Sequence, residues 1–374
     1  MAYKSVDNLQ NLLADDVFHY TTDKKKASGR ALGTFIEIIT YYLIKNWSLE
    51  SSVAIERPLP EFANDDITHN VEFTMHGSKN IILHKYDNEE IPISGSKIKK
   101  LYPKLVRDEN NKSIMLIDKN KVIRNACNIS NFDNSFLNVY LNSLESKYTI
   151  CELLKKPYAM FECKRVGIEE GTKKGPQTIE KAKQGSYVAR TVSRLQKIRR
   201  EDGSVGGFIP KSNGTYLIDD YYKLLDEIIA SDDVEMLKHF ILTVGVVSNH
   251  GNWFTSENPN KELRVLAQSY DWLIFLTDQG IAEFITDLLL EPTIKYMSVK
   301  NAFNQSYNAK KKLNVFTKVK MDLEADKALN TYFQDNQKKI EGWFNVISPK
   351  KRKLTTLRKE LKTLSNKNWW EVYK

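Results

Sequence analysis

The segment Tyr158-Ala-Met-Phe-Glu-Cys-Lys-Arg165 constrains this chain more than any other. Its apolar residues suit a buried β-strand, yet it carries a carboxylate and an amine two positions apart, Glu162 and Lys164. Side chains on a strand alternate faces, so the two point the same way, roughly 6–7 Å apart along the strand. Charged groups are rarely buried without a partner. One account is an ion pair on a solvated face. The other is chemical: a carboxylate can hold a divalent metal, and an ammonium beside it can stabilise an attacking hydroxide or the charge developing on a phosphate. That is the chemistry of phosphodiester hydrolysis.

The residues just after the strand bear on the choice. Arg165-Val-Gly-Ile-Glu-Glu-Gly171 leaves it, and Thr172-Lys-Lys-Gly-Pro176 makes a basic turn. Residues 177–190 read as a helix, with Ile179, Ala182, Val188 and Ala189 as its apolar set and Lys and Gln on its other faces. Strand, loop and basic, Gln-bearing helix resemble the core of the PD-(D/E)xK nucleases, the fold of most type II restriction endonucleases. Glu162-Cys163-Lys164 would be the (D/E)xK element. Gln184-Gly-Ser-Tyr187 is one residue shorter than the QxxxY motif of the RecB-like branch. A weaker match in the order of elements extends over residues 30–280.

The resemblance implies an α/β fold with a restriction-endonuclease-like core: a central mixed β-sheet flanked by helices, with insertions and a mainly helical C-terminal region. It also implies a Mg²⁺ cofactor, and one acid alone holds Mg²⁺ poorly. The family supplies an Asp on the preceding strand, but this sequence has no Pro-Asp dipeptide. Glu72 is the expected second ligand, because residues 68–76 alternate as a strand before the Glu-Cys-Lys strand. Asp133 and Glu152 are the alternatives, the first also reading as a helix cap and the second as an ordinary face residue. By the same resemblance Glu37, on the amphipathic helix Ala31–Trp47, matches a helical Glu that many of these nucleases add to the site. The main-chain carbonyl of Cys163 would complete the metal ligands, and Lys164 would be the catalytic lysine. Lys173, Lys174, Lys181, Lys183 and Gln184 would contact the DNA backbone, a solvated helix face being the alternative. Double-stranded DNA is the implied substrate, a homodimer the implied assembly and a cognate DNA methyltransferase the implied functional companion.

Charge agrees with a polyanion partner. Among 374 residues, 56 Lys and Arg oppose 47 Asp and Glu, a net +9. Cations crowd between Lys164 and Arg200 and again at Lys350-Lys-Arg-Lys353. Cys127, Cys151 and Cys163 form no CxxC pair and are expected to be reduced thiols. With no signal-like N-terminus and no apolar run of about 18 residues, a cytoplasmic protein with no membrane segment is expected, and the resemblance implies a prokaryotic source. His69, His76 and His84 are too loosely spaced for zinc on one element, and neither a P-loop nor a G-x-S-x-G elbow is present.

Residues 1–290 are expected to form the nuclease core, with a recognition insertion at about 77–130, and 291–374 a basic, mainly helical region. Strands are expected at Val53–Arg57, Tyr148–Leu154 and Tyr158–Lys164. Helices are expected from Asp133 to Leu144, at about 218–230 and 233–247, and at Ile281–Leu290, with a strand from Arg264 to about Thr277. A non-catalytic DNA-binding protein and a repair or recombination nuclease are the rival readings.

Overall fold

A computed structural model describes residues 6–16, 18, 24–57, 70–105, 114–167, 185–211, 213–250, 261–307 and 313–374. Helices α1 (Val6–Asp16) and α2 (Lys24–Asn46) lead into β1 (Val53–Arg57) and the long β2 (Val71–Lys85). β3 (Ile93–Ser94), α3 (Gly95–Leu101), β4 (Met115–Ile117) and β5 (Val122–Arg124) follow, then β6 (Cys127–Asn131), β7 (Ser135–Asn142) and β8 (Lys147–Gly167). A helix at 185–192, α4, precedes the small antiparallel sheet of β9 (Gln196–Arg199), β10 (Val205–Pro210) and β11 (Tyr216–Asp220). Next come α5 (Tyr221–Ala230), α6 (Val234–Leu237), β12 (Leu242–His250), α7 (Lys261–Ser269), β13 (Trp272–Leu276) and α8 (Asp278–Ile285). The chain closes with α9 (Met297–Tyr307), β14 (Lys320–Asp322), α10 (Leu323–Asp335), α11 (Gln337–Glu341), β15 (Phe344–Ser348), α12 (Leu354–Ser365) and α13 (Trp369–Val372).

The architecture is α/β around a mixed sheet in the order β1-β2-β8-β12-β13-β15, with β7 beside β8 and β6 beside β7. β8, β12 and β13 run parallel, whereas β2 lies antiparallel along residues 147–161 of β8. Among the described residues the largest of three apolar clusters joins residues from Leu9 to Val372, and a second gathers Val188, Val192, Val247 and Tyr270 beside β8 and β12. Among the described residues no helix is long and apolar enough to cross a membrane.

Several elements differ from the sequence reading. Residues 147–167 form one strand, not two. Pro157 lacks an N–H, but it pairs with His76 where the β2 register shifts, so the ladder loses little. Residues 135–142 are strand β7 rather than a helix, and Asp133 is exposed in the β6–β7 turn. Leu242–His250 is a strand because it is a β-branched run walled by β8 and β13, and a continuous apolar run has no period to tell strand from helix. The expected strand from Arg264 divides into α7 and β13. The two ends of the expected 77–130 insertion belong to the main sheet, as the distal half of β2 and as β6, and β3, β4 and β5 between them form a separate small sheet with β14. Residues 291–374 are mainly helical, but β15 forms the edge of the main sheet and β14 joins the small sheet of β3, β4 and β5.

Candidate functional site

The ladder between β2 and β8 pairs Phe73 with Phe161, so one step further Glu72 faces Glu162 across the strands. Beyond that pair the two strands part, and the N–H of Cys163 donates to Glu72 Oε2 at 3.2 Å. Both carboxyls are buried, Glu162 at 1 % exposure and Glu72 at 8 %. Lys164 Nζ lies 3.1 Å from Glu162 Oε2 and 3.6 Å from Glu72 Oε1. Burial, then the Glu162 charge and a hydrogen bond between the two carboxyls, push the Glu72 pKa up to about 9. Burial opposes the charge on Lys164, but Glu162 and Glu72 outweigh it and hold the ammonium above the ordinary lysine range. This is a buried carboxyl pair sharing one partly exposed lysine, between two neighbouring strands inside the sheet.

A second lysine completes the cluster. Lys318, 5 % exposed, sits in the turn before β14 and places Nζ 3.2 Å from Glu37, 3.3 Å from Glu56 and 3.9 Å from Glu72 Oε1. Asn125 fixes that turn, its N–H donating to the Val319 carbonyl at 2.9 Å and its Nδ2 to the Lys318 carbonyl at 3.0 Å. Glu56 adopts φ 51°, the left-handed region that non-glycine residues seldom enter. Burial raises the Glu37 pKa, with Lys318 countering it.

Two glycines let the walls close in. A Cβ at Gly185, the first described residue of α4, would lie 3.1 Å from the Tyr270 hydroxyl, 3.2 Å from Glu162 Oε2 and 3.3 Å from Lys164 Cε. Gly245 pairs with Glu162 on β12, and a Cβ there would meet Tyr270 Cδ2 at 2.7 Å. Tyr270 therefore lies over Gly245 with its hydroxyl aimed at the acids. That hydroxyl is buried and has no hydrogen-bond partner among the described residues. Lys197 holds the backbone behind it, donating to the carbonyls of Ala267 at 3.0 Å and Tyr270 at 2.6 Å. Burial lowers the Lys197 pKa to about 8 against the pull of Asp271. Although it belongs to the cation-rich stretch, Lys197 is an internal strut.

The fold thus brings together the neighbours Glu162 and Lys164 with Glu72 and Glu37 from two distant parts of the chain. The Cys163 carbonyl faces the same way as its N–H, toward Glu72, because both main-chain groups of a strand residue point to one side. Glu152 stands about 33 Å from Glu162 at ~3.3 Å per residue and accepts from Ser135 Oγ at 2.6 Å, so it is not at the site, and neither is Asp133. Lys173, Lys174, Lys181, Lys183 and Gln184 lie outside the described residues. Lys318, Glu56 and Tyr270 went unnoticed in the sequence. A lysine in a polar stretch and a tyrosine at a helix end carry no local signal of their destination.

The donor set suits a hard divalent cation: two touching carboxyls, a main-chain carbonyl on the same side and, nearby, a phenol with no partner among the described residues. No cluster of three or more His, Cys, Asp or Glu side chains placed to hold a metal occurs among the described residues, and Glu37 and Glu56 face Lys318 instead. Comparison with protein-family models, curated proteins and solved structures gives no match for this chain.

Proposed function

We propose that this protein is a Mg²⁺-dependent endonuclease with a restriction-endonuclease-like core, cutting double-stranded DNA at a short specific sequence as type II restriction enzymes do. The observation that carries the reading is the Glu72–Glu162 carboxyl pair bridged by Lys164 on neighbouring strands of a mixed sheet. Paired buried acids repel each other, and sites that accept such a cost are commonly functional. Glu72 and Glu162, with the Cys163 carbonyl, would hold Mg²⁺. When bound, the ion supplies Lewis-acid polarisation and a water of lowered pKa.

The chain's own groups do the rest. To serve as a ligand Glu72 would have to be in its carboxylate form. Lys164, fixed by two carboxylates, orients the attacking water and offsets charge on the phosphate. Glu37 supports Glu72 through Lys318. The net charge of +9 favours approach to DNA. A homodimer acting on a palindromic site, a protecting methyltransferase and a prokaryotic cytoplasm belong to the same reading.

The test is to incubate the purified protein with unmethylated phage DNA and Mg²⁺. Discrete bands that vanish in EDTA and with Glu162→Ala are expected. Metal-dependent but unlocalised degradation would instead mark a repair or recombination nuclease, and retention of DNA without cutting a binding protein.

A further inference from the structure

We infer that Lys318 is a built-in cation that limits this acidic site to one divalent metal ion per chain by filling the place of a second. The inference rests on the metal-dependent reading above and adds to it the stoichiometry and the residue that sets it.

Charge comes first. Glu37, Glu56, Glu72 and Glu162 supply four carboxylates, and Lys164 and Lys318 two ammoniums, all joined by contacts of 3.1–3.9 Å or by the carboxyl–carboxyl hydrogen bond. With every group ionised, two negative charges remain. One divalent ion neutralises them, and a second would leave the cluster positive.

Geometry agrees. Two-metal phosphodiester sites hold their ions about 3.5–4 Å apart. Lys318 reaches the acid pair through Glu72, whose Oε1 lies 3.9 Å from its Nζ, so the ammonium stands beside one acid of the pair, where a second ion would have to lie. Three carboxylates gather round that ammonium as oxygen ligands gather round a hard cation. The device is also built, not incidental. Lys318 is buried, Asn125 clamps its turn twice, and Glu56 takes a left-handed backbone conformation to present its carboxylate. Lys318 is therefore a positioning residue acting through Glu72. Its bland alternative is a structural clasp tying the β14 turn to α2 and β1, and a clasp predicts lost stability with no change in metal uptake.

Mn²⁺ binding to the full-length chain separates the two. Free Mn²⁺ is read by electron paramagnetic resonance and heat by titration calorimetry, for wild type, Lys318→Met and Lys318→Arg. One ion per chain is expected for wild type and for the charge-retaining Lys318→Arg, and two for Lys318→Met. Lys318→Gln, which keeps a donor for the carboxylates, gives the same reading should the methionine variant not fold. Two ions in wild type, or one in the neutral variants, overturns the inference alone. No ion in wild type overturns the metal-dependent reading together with it.

Discussion

Asp326 and Glu162 are both buried acids, and the chain treats them in opposite ways. Asp326, on α10, accepts from Tyr42 at 2.5 Å, Ser143 Oγ at 2.5 Å, Asn330 Nδ2 at 2.9 Å and Lys45 Nζ at 3.3 Å. One charge meets one ammonium, and three neutral donors fill its remaining acceptor positions. The network ties α2, α10 and the β7–β8 turn together. Glu162, buried just as deeply, faces the carboxyl of Glu72 and shares its lysine with it, near a phenol that lacks a partner among the described residues. Burial of charge is common to both regions, so it does not mark the site. The mark is that at Glu162 the protein sets a second carboxyl, held protonated by burial and by the first, where Asp326 meets neutral donors.

The comparison breaks most readily where each acid is deleted. Removing one partner of a buried ion pair costs about 3–5 kcal/mol. Asp326→Ala, which strands Lys45 and three donors, should lose that much in urea unfolding. Glu162→Ala and Lys164→Ala should each lower cleavage by about a thousand-fold or more, the scale of removing a preorganised electrostatic group. Glu162→Ala should leave stability within about 1 kcal/mol, since it also removes the repulsion on Glu72. If both alanine variants at the acids unfold the protein equally, the Glu162 cluster is structural.

Acidity sharpens the contrast. The Glu72 pKa is raised from 4.5 to about 9. A raised folded-state pKa means that holding the proton stabilises the metal-free protein, in full below the unfolded value and progressively less as pH climbs to the folded one. Stability in EDTA should therefore fall between pH 4.5 and about 9, and Glu72→Gln should flatten that slope. Because the ion needs the carboxylate, the apparent Mg²⁺ affinity should climb up to about tenfold per pH unit over the same range. A pH-independent affinity measured by calorimetry would contradict the shared proton.

The legibility of each contact in the sequence depends on where along the chain its partners lie. The Glu-Cys-Lys strand was readable because alternation alone sets Glu162 and Lys164 on one side. Glu72 was readable for the same reason, on a strand whose Val71, Phe73 and Met75 turn the other way. Thr74 and His76, on the same face as Glu72, are buried as well, because a strand inside the sheet is covered on both sides. β12 was misread where its apolar run lacked a period, and β7 where Asp133 looked like a cap. Lys318 was out of reach. It arrives from the far end of the chain through a turn held by Asn125, and local pattern does not encode that meeting.

The smallest effect expected pits two tyrosines against each other. Tyr42 donates to Asp326, and a hydrogen bond to a charged group contributes roughly 1.5–3 kcal/mol. Tyr42→Phe should cost about that much stability and leave cleavage alone. The Tyr270 hydroxyl makes no hydrogen bond among the described residues, and a buried unsatisfied group carries a desolvation penalty of about 1–3 kcal/mol. Tyr270→Phe should then be neutral or up to about 1 kcal/mol stabilising, because the ring that packs on Gly245 stays in place. If the hydroxyl serves the phosphate or the water of attack, the same variant should lower kcat about tenfold, the loss of roughly 1.4 kcal/mol of transition-state stabilisation. Equal loss of stability in the two phenylalanine variants, with cleavage unchanged in both, would make Tyr270 a packing residue and confine the functional site to the acids and their two lysines.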